Sequence, residues 1–125
     1  MKHLRLPILL AALLLAVTAC LPGLGTLEPV NVTTEGPHTA TAVFTPQEPA
    51  VEVIVSFAGG SIEHVHADDP RFQCQSIGTG WDCFVTGQDD AAAPRVVHEA
   101  GEAITFNVYA SDATKVVGTV FYRTP

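Results

Sequence analysis

The chain has 125 residues, with 6 Lys and Arg against 13 Asp and Glu and a formal charge of −7 at pH 7. That balance excludes nucleic-acid recognition, which rests on Lys and Arg neutralising phosphates. The length suits one domain with one core.

The N-terminus reads as an export signal. Lys2 and Arg5 form a positive n-region, and residues 6–17 form an apolar run interrupted only by Pro7, the pattern of a secretory signal. The run is too short to span a bilayer, which takes about 20 apolar residues. It ends in Val17-Thr18-Ala19-Cys20, a branched apolar residue and two small residues before a cysteine at the expected cleavage point. This resembles the lipobox of bacterial lipoproteins. The resemblance implies that residues 1–19 are removed and that Cys20 becomes the diacylglycerol-modified first residue. Acyl carbons contribute roughly 0.8 kcal/mol each when buried, so two or three chains give a stable anchor. Leu21 stands where an Asp favours inner-membrane retention in enterobacteria. The resemblance therefore implies a cell-envelope location on the outer membrane or an exposed face.

Without the signal, Arg71, Arg95, Lys115 and Arg123 face all thirteen acidic residues, a net charge of −9. Anionic lipid would repel such a domain, which leaves the acyl chains as its membrane contact. Residues 20–29, with Pro22, Gly23, Gly25 and Pro29, read as the lipidated cysteine and a linker. Nine flexible residues have a mean reach of about 15 to 18 Å, so the domain over residues 30–125 is expected to ride close to the membrane.

That domain reads as all-β. Val51, Val53, Val55 and Phe57 recur at period two, as do Ile104, Phe106, Val108 and Ala110, which is the strand repeat. Further strands are expected near residues 30–34, 39–45, 61–67, 71–75, 80–85, 95–98 and 115–123, separated by Gly, Pro and Asp clusters. Residues 89–94 offer at most one short helical turn. About seven to nine short strands in a domain this size point to a small antiparallel, immunoglobulin-like β-sandwich.

Removing Cys20 from the three cysteines leaves Cys74 and Cys83, and exported proteins keep disulfides. Gly78 and Gly80 lie between them, so the segment reads as a hairpin stapled across its own strands. The bridge is expected to fix the register that keeps Phe72 and Phe84 on the core face. The spacing is too short for the inter-sheet disulfide of antibody domains. Redox pairs are more usually Cys-x-x-Cys. Trp81 is expected to pack on the sulfurs or the core, with an exposed binding role as the alternative.

Phe72-Gln73-Cys74, the glycine turn, Trp81-Asp82-Cys83-Phe84, and Ala100-Gly101-Glu102-Ala103-Ile104-Thr105-Phe106 together resemble the immunoglobulin-like repeat of unknown function found in bacterial surface and cell-wall proteins. The resemblance runs from about residue 50 to 123 and implies a scaffold or adhesion module, with no catalytic residues.

His64 and His66 share one face of a strand, roughly 7 Å apart. Two imidazoles so placed are either solvated surface residues or two ligands of a metal whose third ligand is His98 or His38. Asp68-Asp69 and Asp89-Asp90 read as solvated loop charge, with calcium as the alternative. No nucleophile elbow, zinc-protease motif or phosphate loop occurs in the sequence, so neither enzyme activity nor a cofactor is expected. Two functions follow as expectations: a non-enzymatic lipoprotein that binds a protein or glycan partner, and a metal-binding lipoprotein using His64 and His66.

Overall fold

Val51, Val53, Val55 and Phe57 are each 1 % exposed or less, because successive side chains of a strand point to opposite faces and this set points at the core. The computed structural model describes residues 25–87 and 95–125. The export signal, Cys20, Asp89-Asp90 and the turn expected at 89–94 lie outside the described residues.

Nine strands run through the described residues: β1 (Thr26–Val30), β2 (Val32–Thr34), β3 (Thr39–Phe44), β4 (Glu52–Ala58), β5 (Ile62–Ala67), β6 (Gln73–Ser76), β7 (Trp81–Thr86), β8 (Ile104–Ala110) and β9 (Val117–Arg123). They form a five-stranded sheet, ordered β1-β9-β4-β7-β6, and a four-stranded sheet, ordered β2-β3-β8-β5. Every pairing is antiparallel. The fold is the small β-sandwich that the alternation indicates.

The two inner faces meet through aromatic contacts that join the sheets. The Phe57 and Phe106 ring centroids are 5.7 Å apart, Phe72 meets Phe106 edge-on at 5.4 Å, and Phe44 meets Tyr122 at 5.4 Å. Offset and edge-to-face pairs of this kind add about 0.5–1.5 kcal/mol each beyond the area they bury.

Four expectations need correction. Residues 26–29, read as linker, belong to β1, which pairs with β9 along its whole length. The strand expected over residues 30–34 is two strands in different sheets: Val30 and Val32 have the same phase and both face the core, while the chain crosses between sheets at Asn31. Residues 95–98 contribute only an isolated bridge between His98 and Ala50. Phe84 lies on the outer face, since Cys83 and Val85 take the buried phase of β7. A 3-10 turn, Ala113–Lys115, also precedes β9, with the Asp112 side chain accepting from the Thr114 N–H.

The outer faces differ in chemistry. On the four-stranded sheet, strand phase puts Thr39, Thr41, Thr105, Asn107 and His66 outside. On the five-stranded sheet, four apolar residues stand side by side across neighbouring strands: Leu27 opposite Phe121, Phe121 opposite Ile54, and Ile54 opposite Phe84.

Candidate functional site

Cys74 and Cys83 face each other as partners across β6 and β7 and are joined by a disulfide. Cys83 is fully buried, whereas Cys74 is half-buried at the sheet edge. The hairpin turns through residues 77–80, where the Ile77 N–H donates to the Gly80 carbonyl at 2.9 Å and Gly78 takes φ +87°. Trp81 opens β7 on its inward phase and packs against the rim of the core.

From the opposite sheet, β5 brings His64 against that tryptophan. The pairing of β5 with β8 shifts register between Ile62 and His64, a bulge that leaves Glu63 without a partner and re-aims the strand. Beyond it, Val65 and Ala67 are buried while His64 and His66 are both exposed, on one face as their spacing indicates. The His64 ring lies 5.6 Å from Trp81, nearly perpendicular at 79°, and 6.2 Å from Tyr109, inclined by 28°. Tyr109 is His64's partner on β8 and is 44 % exposed. Three rings from three strands and both sheets thus form one surface patch.

Beside this patch is an open cleft of about 400 Å³ between two turns, one at residues 59–61 and the other the hairpin turn. Ile62 and Trp81 supply its apolar surface, and Ser61, Ser76 and Thr79 supply hydroxyls. Among the described residues its lining includes no Asp, Glu, Lys or Arg. Its chemistry suits a neutral ligand that offers one apolar face and several hydrogen-bonding groups. The first turn is tightly specified: Gly60 has φ +69°, and a Cβ there would lie 2.2 Å from the Asp112 carbonyl oxygen.

The other histidines go elsewhere. His98 is 3 % exposed, and its Nδ1 lies 3.2 Å from Nη2 of Arg71. A guanidinium only donates, so that nitrogen accepts and is already engaged. His38 Nδ1 is 3.0 Å from the Ser111 carbonyl oxygen. Among the described residues, no three His, Cys, Asp or Glu side chains gather as a metal site would require. Asp69 forks onto Arg71, with Nη2 to Oδ2 at 2.7 Å. The Arg71 guanidinium holds the Asp69 carboxyl below its ordinary value, and Asp69 in turn raises Arg71.

Sequence reasoning missed Tyr109 and the Asp69-Arg71-His98 group. The first depends on strand register, which no local pattern reports. The second had a signal in Asp69-Pro70-Arg71: an Asp two residues before a backbone N–H marks an Asx turn, and Arg71 N donates to Asp69 Oδ1 at 2.9 Å. The chain matches no protein-family model, no curated protein and no solved structure.

Proposed function

We propose that this chain is a non-enzymatic, lipid-anchored domain of a bacterial envelope, and that it binds a partner through the Trp81, His64 and Tyr109 rings and the adjoining cleft. The observation that carries the reading is the exposed aromatic cluster itself. Tyr109 and His64 stand open to solvent beside Trp81, which is only partly buried at the rim of the core, and Tyr and Trp concentrate at binding surfaces because they offer large apolar area with a polar tip. Support for the anchor comes from the Lys2 and Arg5 n-region, the apolar run over residues 6–17 and the Val17-Thr18-Ala19-Cys20 box. The Cys74–Cys83 hairpin and the alternating strand at Ile104 agree with an adhesion module of the immunoglobulin-like surface repeat. The uncharged cleft lining favours a glycan or another neutral polar partner.

The reading is tested by installing a photo-cross-linking phenylalanine analogue at Tyr109, with Thr41 as the control position on the same outer face. Illumination of intact cells is expected to give an adduct from position 109 that is absent from position 41. Identical patterns from both positions, or no adduct from either, would remove the aromatic cluster as the binding surface.

A further inference from the structure

We infer that the outer face of the five-stranded sheet lies against the lipid surface, so that the domain rests on the bilayer by that face. This deepens the lipid-anchored reading above and rests on it.

One row across this face is apolar where a solvent-facing sheet is ordinarily polar, although Ser56, Thr119, Gln73 and Gln75 also point outward. Leu27, Phe121, Ile54 and Phe84 form an unbroken row over four neighbouring strands. Leu27 is 71 % exposed, and Val117 on the same face is 62 % exposed. Toward the other end, Val117, Ala58 and Ile77 line a shallow groove of about 320 Å³. Contiguous apolar surface of this kind marks a contact with another phase or molecule.

Charge is also depleted there. The outward positions of β1, β9, β4, β7 and β6 include only Glu52, Asp82 and Arg123 as charged residues, and Glu52 pairs with Arg123 at 3.4 Å. The face thus holds one unpaired formal charge in a mature chain of net charge −9, so anionic headgroups repel it little, and the apolar row and the tether, not charge, distinguish it from the outer face of the four-stranded sheet.

The chain itself selects lipid as the occupant. Cys20 is six residues before Thr26, where β1 begins, so the anchor lies within about 20 Å of the sheet even when fully extended. The chain enters over this face: Gly25 lies against the outward Phe121 ring, so closely that a Cβ there would be 2.0 Å from it. A tether this short holds the row near the bilayer permanently, so even weak apolar contacts are made at high effective concentration. With this face down, the polar four-stranded sheet with Tyr109 and His64 points away from the membrane. The cleft then sits at the far end of β4, seven residues from the anchored end.

The test places a nitroxide on single introduced cysteines in the lipidated protein, reconstituted in phosphatidylcholine vesicles. Thr119→Cys and Val117→Cys report the five-stranded face, and Thr41→Cys and Asn107→Cys report the other. The same four positions are read in soluble Cys20→Ser protein. Accessibility to a water-soluble nickel relaxant is expected to fall roughly threefold or more at 117 and 119 on vesicles, as for side chains at the headgroup boundary, and to stay unchanged at 41 and 107. Acylated, vesicle-bound protein with all four sites equally accessible would overturn the inference and leave the anchor standing. Absence of acyl mass on Cys20 would sink both. Protection of 117 and 119 already in soluble Cys20→Ser, rising with concentration, would assign the face to a second copy and overturn the lipid contact.

Discussion

Arg71 donates to Nδ1 of His98 at 3.2 Å while the same guanidinium forks onto Asp69. One exposed cation thereby ties the buried ring of residues 95–99 to the turn between β5 and β6. The ring also meets Phe72 edge-on at 6.1 Å, so it fills core volume as well as accepting a hydrogen bond. His98→Ala is expected to cost about 2 kcal/mol or more, as other large-to-small core changes do. Arg71→Ala should cost less, about 1 kcal/mol, because the guanidinium is itself about half exposed and its ion pair with Asp69 is screened by solvent. Urea titration of both variants checks the ranking, and a larger loss for Arg71→Ala would contradict it.

Asp69 makes the same group acid-sensitive. Hydrogen bonds from Arg71 lower its carboxyl from the ordinary 3.8. A carboxyl depressed in the folded state contributes stability that is fully present above its unfolded value and is lost as pH falls through the folded one. The native protein should lose melting temperature below about pH 4, and Asp69→Asn should lose less over the same range while starting lower at pH 7. Parallel curves for the two proteins would show that Asp69 contributes nothing to acid unfolding.

Cys74 and Cys83 close a loop of sequence separation 9. In the chain-entropy model, a loop of about ten residues gives roughly 2.7 kcal/mol by restricting the unfolded chain. That is a large fraction of the 5 to 15 kcal/mol typical of a domain. The double Cys→Ser variant should melt roughly 10 °C lower or more, at about 4 to 8 °C per kcal/mol for this size. An unchanged melt would mean that backbone pairing of β6 with β7 alone sets the hairpin.

The hairpin glycines separate two kinds of constraint. Gly78 has φ +87° and open space around it, whereas a Cβ at Gly80 would lie 2.2 Å from the Phe57 carbonyl oxygen. Gly78→Ala is expected to cost about 1 kcal/mol from the left-handed backbone, and Gly78→Asn less, since Asn tolerates that region. Gly80→Ala forces strand backbone to move, which costs about 1 to 3 kcal/mol, and Gly80→Asn should be no better. Equilibrium unfolding in which Asn rescues both positions equally would refute the distinction.

Period-two alternation made β4 and β8 legible because each carries a full set of buried apolar residues on one phase, while the other phase is polar in most positions of β8 and mixed in β4. The staple was legible for a local reason, since two cysteines and two glycines within ten residues admit few geometries. What escaped was phase in continuous apolar runs. Val116, Val117, Val120, Phe121 and Tyr122 fit either face, and only packing of Val120 and Tyr122 against the core turns Phe121 outward. The apolar row and the aromatic patch both join residues from strands far apart in sequence. Their existence is a property of register, which depends on the whole set of pairings.

The remaining prediction concerns the anchor, which the Val17-Thr18-Ala19-Cys20 box proposes and the fold leaves unencumbered. Among the described residues the first strand is β1, which begins at Thr26, six positions after Cys20 in the sequence, and every strand pairing described is made by residues from Thr26 onward. Cys20→Ser should therefore leave the melting temperature of the mature domain unchanged while abolishing acyl labelling. Its partitioning should change completely. Two or three acyl chains give effectively stable attachment, whereas none leaves only weak apolar contacts. Cells making wild-type protein should retain it in membranes through carbonate or high-salt washes, because the acyl contact is indifferent to charge screening. The variant should appear either as unprocessed precursor or in the soluble envelope fraction. Equal labelling of the two proteins, or retention of the mature variant through the same washes, would show that Cys20 is not the anchor and that the apolar run over residues 6–17 has another role.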